Sequence, residues 1–214
     1  MALGRVVLAR INWDQMPWGR MDVVRLQKLV DLLGAHLGGL VTANSLEAIA
    51  YTDGLTGAYN ELWLMERLAQ QKHRSVNDGL LYLDLNKFKS INDQRGHELG
   101  DRAIQVTAER LKAVIKRQDH VVRLHGDEFV VWVHDLANIN HLRAIAQRIS
   151  EVLRQPTGMP KPAHSLEASI GGVWGLPPEV PPESILRKAD SMMYRAKRSG
   201  DSPMLVDGHR LGFE

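Results

Sequence analysis

The sequence contains no cysteine, which excludes disulfide bonds and cysteine-based metal sites. It has no apolar run approaching the roughly 18 residues that a membrane-spanning helix needs, so we expect no membrane segment in this chain. The N-terminal residues lack a long apolar core and an Ala-x-Ala cleavage site, which argues against a secretory signal. These absences favour a cytoplasmic protein.

An excess of charge of one sign is also missing. The 27 basic and 25 acidic residues leave a net charge of +2, so we expect no bulk binding of nucleic acid. Hydrophobic residues make up 44% and charged residues 24% of the chain, a mixture typical of soluble globular proteins. The 214 residues are enough for one ordinary domain and an appendage.

The N-terminal part differs in pattern from the rest of the chain. Residues 1–20 predict a short strand and a loop, and residues 21–50 predict a helix. Apolar residues in this helix alternate at spacings of three and four, at Val23, Leu26, Val30, Leu33, Leu37 and Leu40. Such a heptad stripe suits pairing with a second copy of the chain, or packing on its own domain. We therefore predict a linker or dimerisation helix at 21–50, followed by a globular domain at 51–210.

The globular part mixes two apolar periodicities. Extended patterns occur at 79–84, 120–124, 129–133 and 166–174, with a possible last strand at 204–206. Helical patterns occur at 61–71, 100–116, 139–153 and 182–198. The second and third extended runs flank a short polar segment, which indicates a hairpin. Together these elements predict an α/β fold, an α+β sandwich with helices covering a sheet.

Three acids occupy suggestive places in this pattern. Asp84 ends an apolar strand, while Asp127 and Glu128 lie in the predicted hairpin turn. If the hairpin lies beside the Asp84 strand, the carboxylates converge at one edge, and carboxylate oxygens are ligands that Mg²⁺ prefers. The alternative is purely structural, because aspartate is common in turns and an acid often marks a solvated strand end.

The segment after Asp84 is rich in polar groups. A turn here exposes backbone N–H groups that bind phosphate oxygens, and Lys87 and Lys89 add positive charge. Asn92 and Asp101 offer the donors and acceptors that complement a guanine edge. They are equally suitable as helix-capping residues, and their spacing does not separate the two interpretations.

Six short motifs follow one another along residues 53–200. They are Asp53-Gly54-Leu55-Thr56, Asp84-Leu85-Asn86-Lys87-Phe88-Lys89 with Asn92-Asp93, Gly96-His97-Glu98-Leu99-Gly100-Asp101, Arg123-Leu124-His125-Gly126-Asp127-Glu128-Phe129, Ser169-Ile170-Gly171, and Ala189-Asp190 with Tyr194 and Ala196-Lys197. In this order they resemble the GGDEF family, the diguanylate cyclases. The resemblance implies a fold related to class III nucleotidyl cyclases, with a central, mainly antiparallel sheet flanked by helices.

The resemblance also implies a metal site for Mg²⁺ or Mn²⁺. Asp84 would bind the ion through its side chain and Leu85 through its carbonyl oxygen. Asp127 would be a second ligand and the candidate catalytic base near the ribose 3′-hydroxyl. Glu128 would support the metal site and is the other candidate catalytic residue.

The remaining site residues would bind the substrate, GTP. Phosphate contacts would come from Phe88, Lys89 and Lys197, guanine contacts from Asn92 and Asp101, and contacts around the nucleotide from His97, His125 and Gly126. Asp53 would pair with Arg123 and tie the first motif to the hairpin. The family reaction joins two GTP molecules into cyclic di-GMP and releases pyrophosphate. Since one domain holds one GTP, the resemblance implies a homodimer.

The sequence departs from the family pattern at four positions. His125 replaces the first glycine of the hairpin, where glycine permits unusual dihedral angles, so we expect strain or crowding there, with GTP binding retained and turnover reduced or normal. Asn86 replaces an acid near the metal, and Asp201 stands where arginine is frequent. Lys116 replaces the arginine of the product-inhibition motif that ends at Asp119, which predicts weak or absent inhibition by cyclic di-GMP.

These departures define a rival hypothesis. The chain would then be a catalytically inactive GGDEF module that binds GTP or cyclic di-GMP and regulates a partner. Residues 1–50 also resemble, more weakly, the last strand and exit helix of a GAF-type sensor.

Overall fold

The computed structural model describes residues 49–199 and 204–210, and those from Tyr51 onward belong to one compact unit. The expectations for residues 1–48, including the dimerisation helix and the GAF-like remnant, lie outside the described residues, as does Asp201. Among the described helices, none is long and apolar enough to cross a membrane.

The described chain forms a six-stranded sheet flanked by helices. The strands are β1 (Tyr59–Asn60), β2 (Gly79–Leu85), β3 (His120–Arg123), β4 (Glu128–Val133), β5 (Ala168–Trp174) and β6 (Met204–Arg210). The helices are α1 (Glu61–Ala69), α2 (Phe88–Arg95), α3 (His97–Val114), α4 (Ile139–Arg154) and α5 (Pro182–Ser199). A single 3₁₀ turn at Gln71–His73 follows α1.

The strand order is β1-β3-β4-β2-β5-β6. The three central pairings are antiparallel, and the two edge pairings, β1 with β3 and β5 with β6, are parallel. This arrangement confirms the predicted α/β fold with a mainly antiparallel sheet. The β3–β4 hairpin lies beside β2, and Asp84 pairs in register with Glu128.

Alternation along β2 divides the core between the two faces of the sheet. Leu81, Leu83 and Leu85 belong to a buried cluster that includes apolar residues of α3 and α4. Leu80 and Tyr82 belong to a second cluster that includes residues of α1 and α5. Because successive side chains of a strand point to opposite faces, Asp84 shares the face of Tyr82. Its carboxylate therefore lies on the side of the sheet that α5 covers.

Two elements were not predicted from the sequence. The sequence predicted a turn where helix α2 lies. Ile91 is the only buried residue of this helix, so the segment has no apolar stripe at helical spacing that could have predicted it. Strand β1 has only two residues, Tyr59 and Asn60, too few to show an alternating pattern. Helix α3 begins at His97 rather than at Gly100, directly after Gly96, whose φ of +82° turns the chain between α2 and α3.

The half-buried His120 is expected to make the stability of the domain depend on pH. The His120 ring lies edge-on to Trp63, at 4.8 Å between centroids, and to His134, at 5.3 Å. Burial, with the neighbouring His134, lowers the pKa of His120 from 6.5 to about 4. Between these two values the unfolded chain binds a proton that the folded chain does not, so stability falls as the pH drops from 6.5 towards 4.

We predict that His120→Phe reduces the loss of unfolding free energy at acid pH by about 1–2 kcal/mol, because phenylalanine binds no proton. Urea unfolding of wild type and variant measures this free energy at several pH values between roughly 7 and 4.5, where the folded and unfolded chains differ in protonation. His141→Gln, which changes an exposed histidine of α4, should keep the wild-type pH dependence. Parallel stability–pH curves for wild type and His120→Phe would contradict the prediction.

Candidate active site

The three predicted acids converge where the central strand β2 ends and β4 begins, a region called the acidic edge below. Asp84, next to the last residue of β2, is opposite Glu128, the first residue of β4. The Leu85 N–H donates to the Asp127 carbonyl oxygen at 3.4 Å, which joins the hairpin turn to the end of β2. The condition under which the sequence predicted a shared carboxylate site, a hairpin beside the Asp84 strand, is therefore met.

Helix α5 adds a cation and a fourth acid to this edge. The Lys197 ammonium group lies 2.6 Å from the Asp84 carboxylate, whose side chain is 14% exposed. Burial raises the pKa of Asp190, and the carboxylates of Glu128 and Asp84 raise it further. Four carboxylates thus share the site, and among the described residues only that of Asp84 forms an ion pair with a lysine.

Asp127 experiences this excess of negative charge most directly. Burial raises its pKa, and the carboxylate of Asp84 raises it further, with Lys197 opposing. A hard cation would relieve this repulsion, and carboxylate oxygens are the donors that magnesium takes from proteins. In the described ranges, no group of three acidic or histidine side chains is placed to hold a metal ion. Magnesium commonly takes only one or two carboxylates from a protein and its other ligands from water and phosphate.

Two side chains hold the Glu128 carboxylate at the same oxygen. The Tyr82 hydroxyl donates to Oε2 at 2.6 Å, and the His125 Nε2 atom lies 3.3 Å from it. Burial raises the pKa of Tyr82, and its hydrogen bond to Glu128 adds to the effect. Tyr82 was missed from the sequence, although its position two residues before Asp84 places both side chains on one face of β2.

The hairpin is tied to the first motif by the expected ion pair. The Arg123 guanidinium donates to both oxygens of Asp53, at 3.0 and 3.1 Å. It also donates to the Gly126 carbonyl oxygen at 2.9 and 3.1 Å. Burial opposes ionisation of Asp53, but hydrogen bonds from Thr56 and Arg123 outweigh it, and the pKa of Asp53 is lowered overall.

The expected backbone strain at His125 is wrong. The left-handed position of the turn is Gly126, with φ of +52°. In the described ranges, the residues other than glycine with positive φ are Lys87 and Asp135. His125 thus replaces a glycine at a position where this turn needs no glycine, and its side chain is 73% exposed. The effect of the substitution is therefore the contact of the His125 ring with Glu128, and not a change in the backbone.

The N-terminus of α2 directly follows the turn after β2. Lys87 precedes the helix in the left-handed conformation, with φ of +58°, and provides no side-chain cap. The first N–H groups of a helix lack partners within the helix, and anions bind there. Phe88 and the exposed Lys89 lie in this first turn.

Asn92 and Asp101 are not helix caps, so that alternative is wrong. Asn92 lies inside α2, and Asp101 is in the second turn of α3, whose N-cap is Gly96. The Asn92 Oδ1 atom is buried and has no hydrogen-bond partner among the described residues. It occupies the space that a side chain at Gly100 would fill. Gly100 is followed directly by Asp101, which is exposed, as is His97. A buried oxygen without a partner is a group whose hydrogen bond is still to be satisfied.

Asn86, which stands where the family pattern has an acid, forms a hydrogen bond within the domain. The Ser169 hydroxyl of β5 donates to the Asn86 Oδ1 atom at 2.8 Å. This hydrogen bond connects the second motif with the Ser169-Ile170-Gly171 strand. The amide thus serves the contact between β2 and β5.

The family profile described as "Diguanylate cyclase, GGDEF domain" matches residues 50–203. The chain belongs to the GGDEF family. This confirms the resemblance that the six motifs indicated.

Related proteins place the GGDEF domain in longer chains. Diguanylate cyclase DgcP of Pseudomonas aeruginosa is 33% identical over 156 residues, which cover 71% of this chain and 23% of that protein. An uncharacterized protein of Mycobacterium tuberculosis is 27% identical over 202 residues, 94% of this chain and 32% of its own length. The chain thus spans about a third of that relative.

A solved structure extends the similarity to three dimensions. Diguanylate cyclase SiaD of Pseudomonas aeruginosa, in complex with its activator SiaC, superposes with a TM-score of 0.69 at 25% identity. The superposition covers 87% of this chain and 74% of that one. The GGDEF domain described above accordingly has a diguanylate cyclase-like fold.

Proposed function

We propose that this GGDEF protein is a cytoplasmic diguanylate cyclase that condenses two GTP molecules into cyclic di-GMP and pyrophosphate. The observation that carries the proposal is the convergence of Asp84, Asp127 and Glu128 at one sheet edge. An uncapped helix N-terminus and the unpaired Asn92 oxygen lie on the segment that follows Asp84. Acids for a cation, N–H groups for phosphate and an unpaired polar atom for a base are what a nucleotide–magnesium complex needs.

The acids would hold magnesium or manganese. Asp84 and Asp127 would supply carboxylate oxygens and Leu85 its carbonyl oxygen, with Glu128 supporting them. When bound, the ion would neutralise charge that develops on the phosphates. Lys197 forms an ion pair with Asp84, and its ammonium group would also reach the triphosphate.

The other residues would position the nucleotide. The first turn of α2, with Phe88 and Lys89, would bind phosphate oxygens, and Asn92 and Asp101 would bind the guanine edge. His97, His125 and Gly126 would border the bound nucleotide. Positioning of this kind supplies much of the catalysis in phosphoryl transfer.

Asp127 would act as the base in each half-reaction. It would take the proton from the 3′-hydroxyl of its own GTP, whose oxygen attacks the α-phosphorus of the second GTP. The bond from that phosphorus to the β-phosphate oxygen breaks, and pyrophosphate leaves. Two such steps close the ring, so two domains must face each other. We therefore propose an active homodimer, with residues 21–50 as the coupling helix.

A turnover assay tests this proposal. The purified full chain, verified as a dimer, is incubated with GTP and magnesium, and products are separated by chromatography. Cyclic di-GMP and pyrophosphate should form, and Asp127→Ala should give the background. A dimer that binds a non-hydrolysable GTP analogue but yields no product above that background would sink the enzyme proposal.

The His125 ring is expected to lower turnover slightly. Because the turn does not need glycine at this position, His125→Gly should fold normally and leave Tyr82 as the remaining partner of the Glu128 oxygen. We predict that kcat rises about fivefold, equivalent to about 1 kcal/mol in the barrier. Steady-state kinetics measure it, with the exposed His164→Gln as control. An unchanged or lower kcat would show that the ring does not obstruct the site.

Product inhibition at the Lys116–Asp119 motif is expected to be weak. Asp119 is 6% exposed. Its oxygens accept hydrogen bonds from the backbone N–H groups of Lys116, at 2.9 Å, and His134, at 3.0 Å. We predict a Kd for cyclic di-GMP weaker than about 1 μM at this motif, measured by titration calorimetry. Submicromolar binding that disappears in Lys116→Ala would contradict this.

One observation favours a second candidate, an inactive GGDEF module that binds GTP or cyclic di-GMP and regulates a partner. Two of its substitutions make contacts within the domain: Asn86 bonds Ser169, and His125 contacts Glu128. Such a module would bind GTP with magnesium in calorimetry and release no pyrophosphate in the turnover assay.

A further inference from the structure

A second cavity lies at the end of the sheet opposite to the acidic edge. It has a volume of about 530 Å³ and is bordered by Asp78, which precedes β2, and by Trp132 and His134 at the end of β4. The acidic edge instead lies where β2 ends and β4 begins. Volumes of roughly 300–1,000 Å³ are typical of sites for small organic ligands.

The wall of the cavity is an ordered group of rings. Trp63 stacks on Tyr59 at 3.8 Å between centroids and lies edge-on to Trp132 at 6.4 Å. The rings of His120 and His134 continue the group. Since Trp63 and Trp132 are buried and packed against one another, this wall is preformed. The half-buried rings of Tyr59, His120 and His134 in front of these tryptophans leave aromatic surface for a planar ligand.

The acids that line the cavity already have partners. Asp78 is 2% exposed, and its carboxylate accepts hydrogen bonds from Trp132 Nε1 at 3.3 Å and from the Ser75 backbone at 3.2 Å. It also lies 3.1 Å from His134 Nδ1. Asp135 accepts a hydrogen bond from Gln118 at 3.3 Å. These carboxylates therefore have their interactions within the protein.

The cations that line the cavity lack acidic partners. Arg67, Lys72 and Arg74 make no ion pair with any described carboxylate. Arg74 is 7% exposed, and its terminal nitrogens donate to the carbonyl oxygens of Pro178 and Val180. Its Nε atom is buried without a hydrogen-bond partner in the described structure. Burial lowers the pKa of Arg74, and the nearby Glu179 carboxylate opposes this shift. The unpaired Nε atom is therefore the donor that a further anion would accept a hydrogen bond from.

We propose that this cavity binds a small planar aromatic carboxylate. The ring would contact the aromatic wall, and the carboxylate would meet Lys72 and Arg67 at the rim, above Arg74. A carboxylate accepts two parallel hydrogen bonds from a guanidinium, which uncharged aromatic compounds do not. The proposal does not depend on cyclase activity, because the cavity and the acidic edge share none of their lining residues.

Calorimetric titration of the full chain with 2-naphthoate tests the site. We expect binding, with affinity at least tenfold lower for 2-naphthalenemethanol, which has the ring without the charge, and for acetate, which has the charge without the ring. The double variant Arg67→Gln, Lys72→Gln should weaken naphthoate binding about tenfold. Both positions are exposed, so the fold should persist. Arg187→Gln, an exposed change on α5 outside the cavity, is the matched control.

Three outcomes would overturn the proposal. Equal affinity for the acid and the alcohol would leave no role for the cations. An equal loss in Arg187→Gln and in the double variant would place binding elsewhere. Displacement of naphthoate by micromolar cyclic di-GMP would reassign the cavity to a dinucleotide.

Discussion

Replacing Asp84 with asparagine should reduce cyclic di-GMP synthesis about a thousandfold, because a charged metal ligand in such a site contributes several kcal/mol to the transition state. The variant also removes the partner of Lys197, whose ammonium group lies 2.6 Å from the Asp84 carboxylate. Initial rates across a range of magnesium concentrations measure the effect. Since Asp84→Asn keeps the size of the side chain and its place at the end of β2, the melting temperature should change little.

Asp190→Asn provides the matched control. Asp190 lies in the same acidic group and has a raised pKa, but it is exposed and no ligand role is proposed for it. Its turnover should stay within about threefold of wild type, less than 1 kcal/mol in the barrier. A similar loss in both variants would mean that overall negative charge, rather than a ligand at Asp84, supports the reaction.

Gly171→Ala should destabilise the domain by about 3 kcal/mol or more, at or above the upper range for overpacked cores. A methyl group at Gly171 of β5 would overlap the backbone nitrogen of Met193 and the carbonyl oxygen of Ala189, both in α5. Backbone atoms inside a helix cannot rotate away, so α5 would have to leave the sheet. Because α5 carries Lys197, the displacement would also disturb the acidic edge. Urea unfolding followed by circular dichroism measures the loss.

Gly172→Ala is the control on the same strand. Its methyl group would meet side-chain atoms only, Leu81 Cδ2 at 2.8 Å and Val206 Cγ2 at 3.0 Å. Side-chain ends of this kind shift at lower cost, so we expect a loss of about 1 kcal/mol. If Gly171→Ala costs no more than Gly172→Ala, then the close approach of α5 to β5 is not what requires glycine.

The sequence predicted those site residues that apolar periodicity places at the ends of strands. Asp84 follows an apolar run, and Asp127 and Glu128 lie between two others, so periodicity located them at element ends. The features that the sequence did not predict were missed for physical reasons. Helix α2 buries only Ile91 and shows no stripe. Tyr82 reads as one more residue of a buried strand until Glu128 is placed beside it.

The sequence by itself determined the family, the strands and helices with strong periodicity, and the identity of the acids, because those features depend on local spacing. Apart from the Asp53–Arg123 pair, which the family resemblance had implied, the tertiary structure decided which groups meet. It paired Asp84 with Glu128 across two strands and with Lys197 from α5, and it assigned the left-handed turn position to Gly126 rather than to His125. Register and helix packing join residues far apart in the chain, and no local pattern specifies those contacts.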